Sequence, residues 1–482
     1  MFEEYLFKTV PYQHQIDALD ESYDEKVYAL FMEMGCGKSK VVIDNFANLY
    51  LEDKINTVLI IAPKGVYDNW YSKEIPAHLP EKVDHYMVKW SPSTSKKNLD
   101  SLSKVYESGS KHLRIFIMNV EALSTKKGTG AAAKFINSGR CMFIVDESTT
   151  IKNHKAKRTV NTVRLGKYAH YRRILTGSPV TKSPLDLFSQ AYFLDPALLG
   201  FTSYFAFRAR YANLVERSSS GRTFKQVLGY KNLTELNQSL LKFSSRILKK
   251  DCLDLPDKVY LKRTIHMTDE QKRIYRELQK QAKASLGKDT VTITHLITQI
   301  VRLHQVSCGF VGIDGGGVTE LPSQRLPELM EILEETNGKI IIWANYRHDR
   351  QKIKNELERV YGENTVGAYY GDVTQERREE VINKFQDPED PLRFFIGNTQ
   401  TGGYGITLTE ATTVIYYSNN YDLEKRLQSE DRAHRIGQKN KVTYIDIVCE
   451  RTVDEKIVKA LRQKQNIAQT VLGEEKWKDW LM

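Results

Sequence analysis

The chain has 482 residues, 41% of them hydrophobic and 27% charged, the proportions of a folded globular protein rather than a disordered one, and its length suffices for about two to four domains. A formal net charge of +11 suits a polyanionic partner and equally a plain soluble surface. Five cysteines without a C-x-x-C pair, an N-terminus (MFEEYLFKTV) with two early glutamates, and no apolar run of membrane-spanning length argue against a disulfide framework, structural zinc, a signal peptide and a membrane segment, so a reduced cytoplasm is the expected location.

In chain order, the first strand-like run, Val27 to Phe31 (VYALF), leads into MEMGCGKSK at Met32 to Lys40, and Val41 to Ile43 follow. Gly35 and Gly37 flank Cys36 and precede Lys38 and Ser39, an arrangement in which backbone N–H groups can curl around phosphate oxygens, the lysine adding a point charge and the serine a magnesium ligand. The strict G-x-x-x-x-G-K-[ST] pattern asks for glycine where Met32 stands, and the loop alone is as compatible with a simple strand–turn–helix connection.

Further apolar runs, Thr57 to Ala62 (TVLIIA), Leu113 to Met118 (LRIFIM), Cys141 to Val145 (CMFIV) and Arg173 to Leu175, alternate with helix-like stretches. A second series follows at Lys339 to Trp343, Phe394 to Ile396, Thr413 to Tyr417 and Val442 to Val448. Buried strands alternating with helices predict parallel-sheet α/β architecture, here in two lobes. The expected division is lobe one at 1–183, a basic helical insertion at 184–262, a helical region at 263–320 and lobe two with a C-terminal helix at 321–482. Residues 201–262 hold twelve Lys/Arg against five Asp/Glu. That charge reads as a solvated face or, with Tyr204, Phe205, Phe207, Tyr211 and Phe224 among Arg208, Arg210, Arg217 and Arg222, as a nucleic-acid face. Thr268 to Gln271 (TDEQ) is a capping-box signature predicting a helix through Tyr275 and Leu278, and Thr452 to Glu455 (TVDE) predicts another.

A phosphate loop needs an acidic partner at the end of a strand of the same sheet. Asp146-Glu147 follows CMFIV in that way: Asp146 would hold magnesium, and Glu147 would orient or deprotonate the attacking water.

These motifs, with others in the same order, resemble the SNF2 family of helicase superfamily 2 over nearly the whole chain, from about Pro11 to Ile457. Pro11-Tyr12-Gln13 resembles the adenine-reading motif, EMGCGKS the phosphate loop usually written EMGLGKT, and Ala62-Pro63-Lys64 with Asn69-Trp70 a motif that touches a nucleic-acid backbone. Asp146-Glu147-Ser148-Thr149 stands where the family has DEAH, and Leu175-Thr176-Gly177-Ser178-Pro179 resembles the coupling motif LTGTP. In the second half, TQTGGYGITL at Thr399 to Leu408 and QSEDRAHRIGQ at Gln428 to Gln438 complete the set. The resemblance implies two RecA-like lobes using ATP and Mg²⁺. It places Gln13 on the base and Gly35, Cys36, Gly37, Lys38, Ser39 and Gly405 at the nucleotide, with Ser39 and Asp146 on the metal. It assigns catalysis to Lys38, Asp146, Glu147, Arg432 and Arg435, nucleic-acid contact to Lys64, Asn69, Trp70, Thr399, Gly402 and Gly403, and coupling to Thr176, Gly177, Ser178 and Gln428.

The motif ending RAHRIGQ favours a translocase on double-stranded DNA over a strand-separating DNA or RNA helicase. The resemblance is to compact members from bacteria and their viruses, working as monomers on DNA or on DNA-bound proteins.

Overall fold

The structure, a computed structural model, describes residues 5–64, 66–93, 95–109, 111–219, 222–286, 293–313, 317–371, 373–402 and 406–474. The chain forms two compact units, the first comprising most residues up to Val215 together with Val227–Asp254 and the stretch from Ile467, the second mainly Leu255–Asn466.

The first unit is built on β1 (Val27–Met32), β2 (Thr57–Ala62), β3 (His85–Lys89), β4 (Leu113–Asn119), β5 (Cys141–Asp146) and β6 (Tyr171–Leu175). After a two-stranded excursion, β7 (Ala212–Ser219) and β8 (Arg222–Tyr230), the strand β9 (Ser244–Ile247) completes the sheet. Its order is β3-β4-β2-β5-β6-β1-β9 with every neighbouring pair parallel. The apolar runs are continuous because both faces are covered: Tyr28, Leu30 and Met32 enter one core cluster, and Ala29 and Phe31 enter the other. This order sets β5, β6 and β1 side by side, so the acidic pair, the coupling motif and the phosphate loop all leave the same carboxyl edge, where open α/β sheets bind ligands.

The second unit carries β10 (Lys258–Ile265), a short antiparallel pair of β11 (Phe310–Gly312) and β12 (Val318–Glu320), then β13 (Lys339–Trp343), β14 (Val366–Tyr369), β15 (Phe394–Gly397), β16 (Ala411–Tyr416) and β17 (Val442–Cys449). Its parallel sheet runs β10-β17-β16-β13-β15-β14. Ile340 and Ile342 face one core, Ile341 and Trp343 the other. A buried polar cluster fastens its helices. Arg325, with no exposed surface, donates to the carbonyls of Ser307, Tyr417 and Ile447 and pairs with Asp454, which His304 meets at 2.9 Å. Burial alone would raise the Asp454 carboxyl, but the charge of Arg325 and the His304 contact outweigh it and hold it well below the ordinary range.

Two α/β lobes with parallel sheets are therefore the observed class, as expected, but the boundaries differ. Residues 184–262 are no separate helical insertion. Leu187–Leu194 packs into the first unit's core, β9 extends its sheet, and β10 belongs to the second sheet. The end of the terminal helix Val453–Leu472 likewise joins the first unit, where Val471 is buried in the core. Both capping signatures start helices. Thr268 and Gln271 exchange their side-chain bonds at the head of Asp269–Leu286, whereas Glu455 reaches Arg451 N rather than Thr452 N.

Candidate functional site

The phosphate-loop motif leaves β1 and turns into the helix Lys38–Leu51, with Gly35 at φ +90° and Gly37 at φ +85°. Those left-handed values suit glycine, and a Cβ at Gly37 would lie 2.1 Å from the Gln15 amide nitrogen. Lys38 Nζ donates to the carbonyls of Met32 at 2.9 Å and Glu33 at 3.3 Å, which holds the ammonium over the loop's mouth. The Cys36 carbonyl lies 2.9 Å from His14 Nε2 and 3.3 Å from Gln15 Nε2, so the helix Gln13–Ser22 buttresses the loop from outside. Glu33 ties it to the next strand and helix: its N–H donates to Ile247 O at 2.9 Å, and its carboxylate accepts from Lys249 N at 2.7 Å.

At the end of β5, Asp146 is buried and accepts from Trp70 Nε1 at 2.8 Å and from Glu147 N at 2.9 Å. Burial raises its carboxyl above the ordinary carboxylate range, opposed by the Trp70 hydrogen bond and by the charge of Lys38. A buried carboxylate that feels the charge of the lysine, together with the half-buried Ser39 hydroxyl in the first turn of the loop's helix, is a donor set that fits a hard divalent cation, and Ser39 and Asp146 are the residues that would hold Mg²⁺. Glu147 is held in the left-handed region at φ 47° and ψ 61°, a backbone cost of about 1 kcal/mol or more for a non-glycine residue. Its carboxylate accepts from Thr176 Oγ1 at 3.3 Å.

The coupling motif touches both sides of this arrangement. A Cβ on Gly177 would lie 3.1 Å from Met34 N in the phosphate loop, and Ser178 N donates to Thr176 Oγ1 at 3.2 Å. Arg246 Nη1 donates to Phe31 O and Gly177 O, both at 3.0 Å, bridging β1 to the motif. Ser148 donates to Gln190 at 2.6 Å and Gln190 to Pro179 O at 2.9 Å, a second link from the acidic segment to the same motif.

In the second unit, Arg432 is buried with Nη1 3.2 Å from Ile406 O, while Arg435 is half-buried and donates to Thr407 Oγ1 at 3.0 Å. Gln438 fixes the turn that carries them by donating to the carbonyls of Thr409, Ala411 and Ala433 at 2.8, 3.0 and 3.0 Å. The preceding helix, Leu423–Glu430, is anchored through Arg426, which pairs with Asp446 and Glu430 and lies 3.4 Å over the Tyr416 ring.

Residues 22–309 match the SNF2-related domain, and residues 323–437 match the helicase conserved C-terminal domain. The chain belongs to the SNF2-related family. This SNF2-related protein is 27% identical to the putative ATP-dependent helicase/translocase YwqA of Bacillus subtilis over 92% of this chain and 46% of YwqA. It is also 27% identical to the TATA-binding protein-associated factor MOT1 of Saccharomyces cerevisiae over 69% of this chain and 20% of MOT1. The chain thus spans less than half the length of these curated relatives. A solved structure, the Sulfolobus solfataricus SWI2/SNF2 ATPase core in complex with dsDNA, aligns at TM-score 0.44 and 23% identity, covering 98% of this chain and 99% of that one.

The structure of this SNF2 protein brings Gly35, Cys36, Gly37, Lys38, Ser39, Asp146, Glu147, Thr176, Gly177 and Ser178 to one sheet edge, and holds Arg432 and Arg435 on a braced turn of the second unit. Gln428 is buried at the end of its helix against Glu424 and Lys425. Thr399 and Gly402 bound a one-turn helix after β15; Gly403 and Gly405 lie outside the described residues. Lys64 is exposed and Asn69 half-buried. Trp70 needs correction: expected on nucleic acid, it has no exposed surface and instead orients Asp146, so it cannot stack on a strand. Gln13 is exposed and bonds Asp17, whereas Gln15, which sequence reasoning passed over, reaches the loop. A helical-period signal was available, since Gln15, Ala18, Leu19 and Ser22 form the buried stripe of that helix. Glu33 lies within the EMGCGKS motif but was given no role there, and Arg246 and Gln190 carried no comparable sequence signal. In the basic segment, Phe207 and Tyr211 are core, and Arg210 is paired with Glu235.

Proposed function

We propose that the protein hydrolyses ATP and uses the cycle to move along double-stranded DNA. One observation carries this reading: the coupling motif contacts the phosphate loop through Gly177 and the acidic pair through Thr176, so a change at the phosphates has a direct mechanical outlet. Lys38 and the loop amides hold the β- and γ-phosphates, and Glu147 aims a water at the γ-phosphorus and takes its proton. Bound Mg²⁺, when held by Ser39 and Asp146, supplies neutralisation of phosphate charge. Arg432 and Arg435, brought up on closure, offset charge in the transition state, an effect worth ~10³–10⁵ in rate for arginine fingers. Lys64 and Asn69 in one lobe and Thr399, Gly402 and Gly403 in the other grip the nucleic-acid backbone, so closing and reopening shifts one grip against the other.

The motif RAHRIGQ and the relatives' names, a translocase and a TATA-binding protein-associated factor, support duplex DNA and proteins bound to it as the working partners. The test is displacement of a third strand from a DNA triplex. ATP-dependent release without separation of the underlying duplex is the expected result. Release only when the duplex itself is unwound would favour a strand-separating helicase, and no release would contradict translocation.

A further inference from the structure

Cys36 stands at the centre of the phosphate loop, where the motif it resembles usually has leucine, and nothing in phosphate chemistry calls for a thiol there. It is fully buried, and its Sγ lies 3.8 Å from Sγ of Cys252. Cys252 is partly exposed and ends the short helix Lys249–Cys252, the same segment that Glu33 fastens to the loop. Its thiol also lies 3.2 Å from Leu248 O. The sulfurs are in van der Waals contact, and closing to a bond of about 2.05 Å needs a shift of roughly 1.8 Å. The chain after Cys252 runs without helix or strand until Lys258, so the partly exposed side of the pair has room to move.

We propose that Cys36 and Cys252 form a reversible disulfide under peroxide, and that this bridge switches off nucleotide binding. Cys252, the accessible sulfur, attacks one peroxide oxygen; the O–O bond breaks, sulfenic acid forms and water leaves. The Cys36 sulfur then displaces the sulfenic hydroxyl, the S–S bond forms, and a second water leaves with the Cys36 proton. Two thiols and one hydrogen peroxide thus give one disulfide and two waters. Burial raises the Cys36 and Cys252 thiols, which keeps the reactive thiolate scarce and makes the response slow, suited to sustained oxidant. The Cys36 carbonyl is already held by His14 and Gln15. With the side chain tied as well, the loop can no longer reshape around phosphates. The bridge stands on the sulfur contact alone; its effect also rests on reading Glu33 to Ser39 as the nucleotide site.

The experiment treats the purified full chain with hydrogen peroxide, removes the oxidant, alkylates free thiols in denaturant and maps peptides, while binding of a fluorescent ATP analogue is measured before and after dithiothreitol. The expected result is a linked Cys36–Cys252 peptide and binding weakened about tenfold or more, restored by the reductant and insensitive to peroxide in Cys252→Ser. Recovery of alkylated Cys36, or a linked protein that binds the analogue as tightly as the reduced one, overturns the proposal. If the reduced protein binds no analogue, the nucleotide reading and with it the proposed switch fall, while the peptide map, which needs no variant, still decides the bridge.

Discussion

Trp70 shows how much one side chain's place matters. Its indole N–H is a donor to Asp146 Oδ2 inside a buried site, and it counters the burial that lifts the Asp146 carboxyl. Trp70→Phe keeps an aromatic ring but removes that donor, so the carboxyl moves further up and holds a cation less well. The expected outcome is a Mg²⁺ concentration for half-maximal ATP turnover raised about tenfold, the size of effect that groups supporting metal ligands produce, with the chain still folded by circular dichroism. An unchanged Mg²⁺ requirement would mean Trp70 serves packing only. The sequence named the right tryptophan for the wrong contact, because a motif position carries no information about which way an indole points. Lys38, Asp146 and Glu147 were legible because phosphate chemistry restricts those residue types. Arg246 and Gln190 were not, since their partners are backbone carbonyls or side chains far away in sequence, Glu474 for Arg246 and Ser148 for Gln190.

At the level of elements, the strands read from sequence and those left out separate cleanly by position. The runs recognised as strands are all interior to their sheets. The ones missed from both parallel sheets, His85–Lys89, Ser244–Ile247, Lys258–Ile265 and Val366–Tyr369, are the two edges of each sheet. Edge strands bury less of themselves and therefore show weaker apolar runs, and the mixed exposure of HYMVK at His85–Lys89 illustrates it. The helix Arg347–Tyr361 makes a further prediction. Asp349 in its first turn is buried, and burial raises it to about 7 despite Arg325, Lys352 and Arg350 nearby, with Asp454 adding to the rise. The folded state therefore holds a proton that the unfolded chain releases near its ordinary carboxyl pKa of about 4. Stability from this group is full below that value and is lost as pH rises through 7. Asp349→Asn should accordingly raise stability at pH 8, by on the order of 4 kcal/mol, and change it little near pH 4. Thermal melts of both proteins across that range check this, and an equal difference at both ends would mean Asp349 does not titrate there.

For the whole molecule, one α/β pattern repeated twice supplies two lobes, and each holds part of the SNF2 motif set on well-braced supports. In the first, the phosphate loop, acidic pair and coupling motif share one sheet edge through direct contacts. In the second, the arginine turn rests on Gln438 and on the Arg426–Asp446 pair. The lobes and motifs could be read before the fold was known because buried parallel strands and phosphate-binding loops both leave strong local patterns. The division between the units could not, since it depends on which sheet an edge strand joins. In the proposed cycle, lobe one's contacts couple nucleotide chemistry to a grip on duplex DNA. ATP hydrolysis by the purified chain, alone and with duplex DNA, single-stranded DNA or RNA, beside Lys38→Ala as the blank, decides whether they do. Strong stimulation by duplex DNA, weak stimulation by the single strands and none in the blank is the expected outcome; turnover that ignores duplex DNA, or responds only to single strands or RNA, would overturn that coupling.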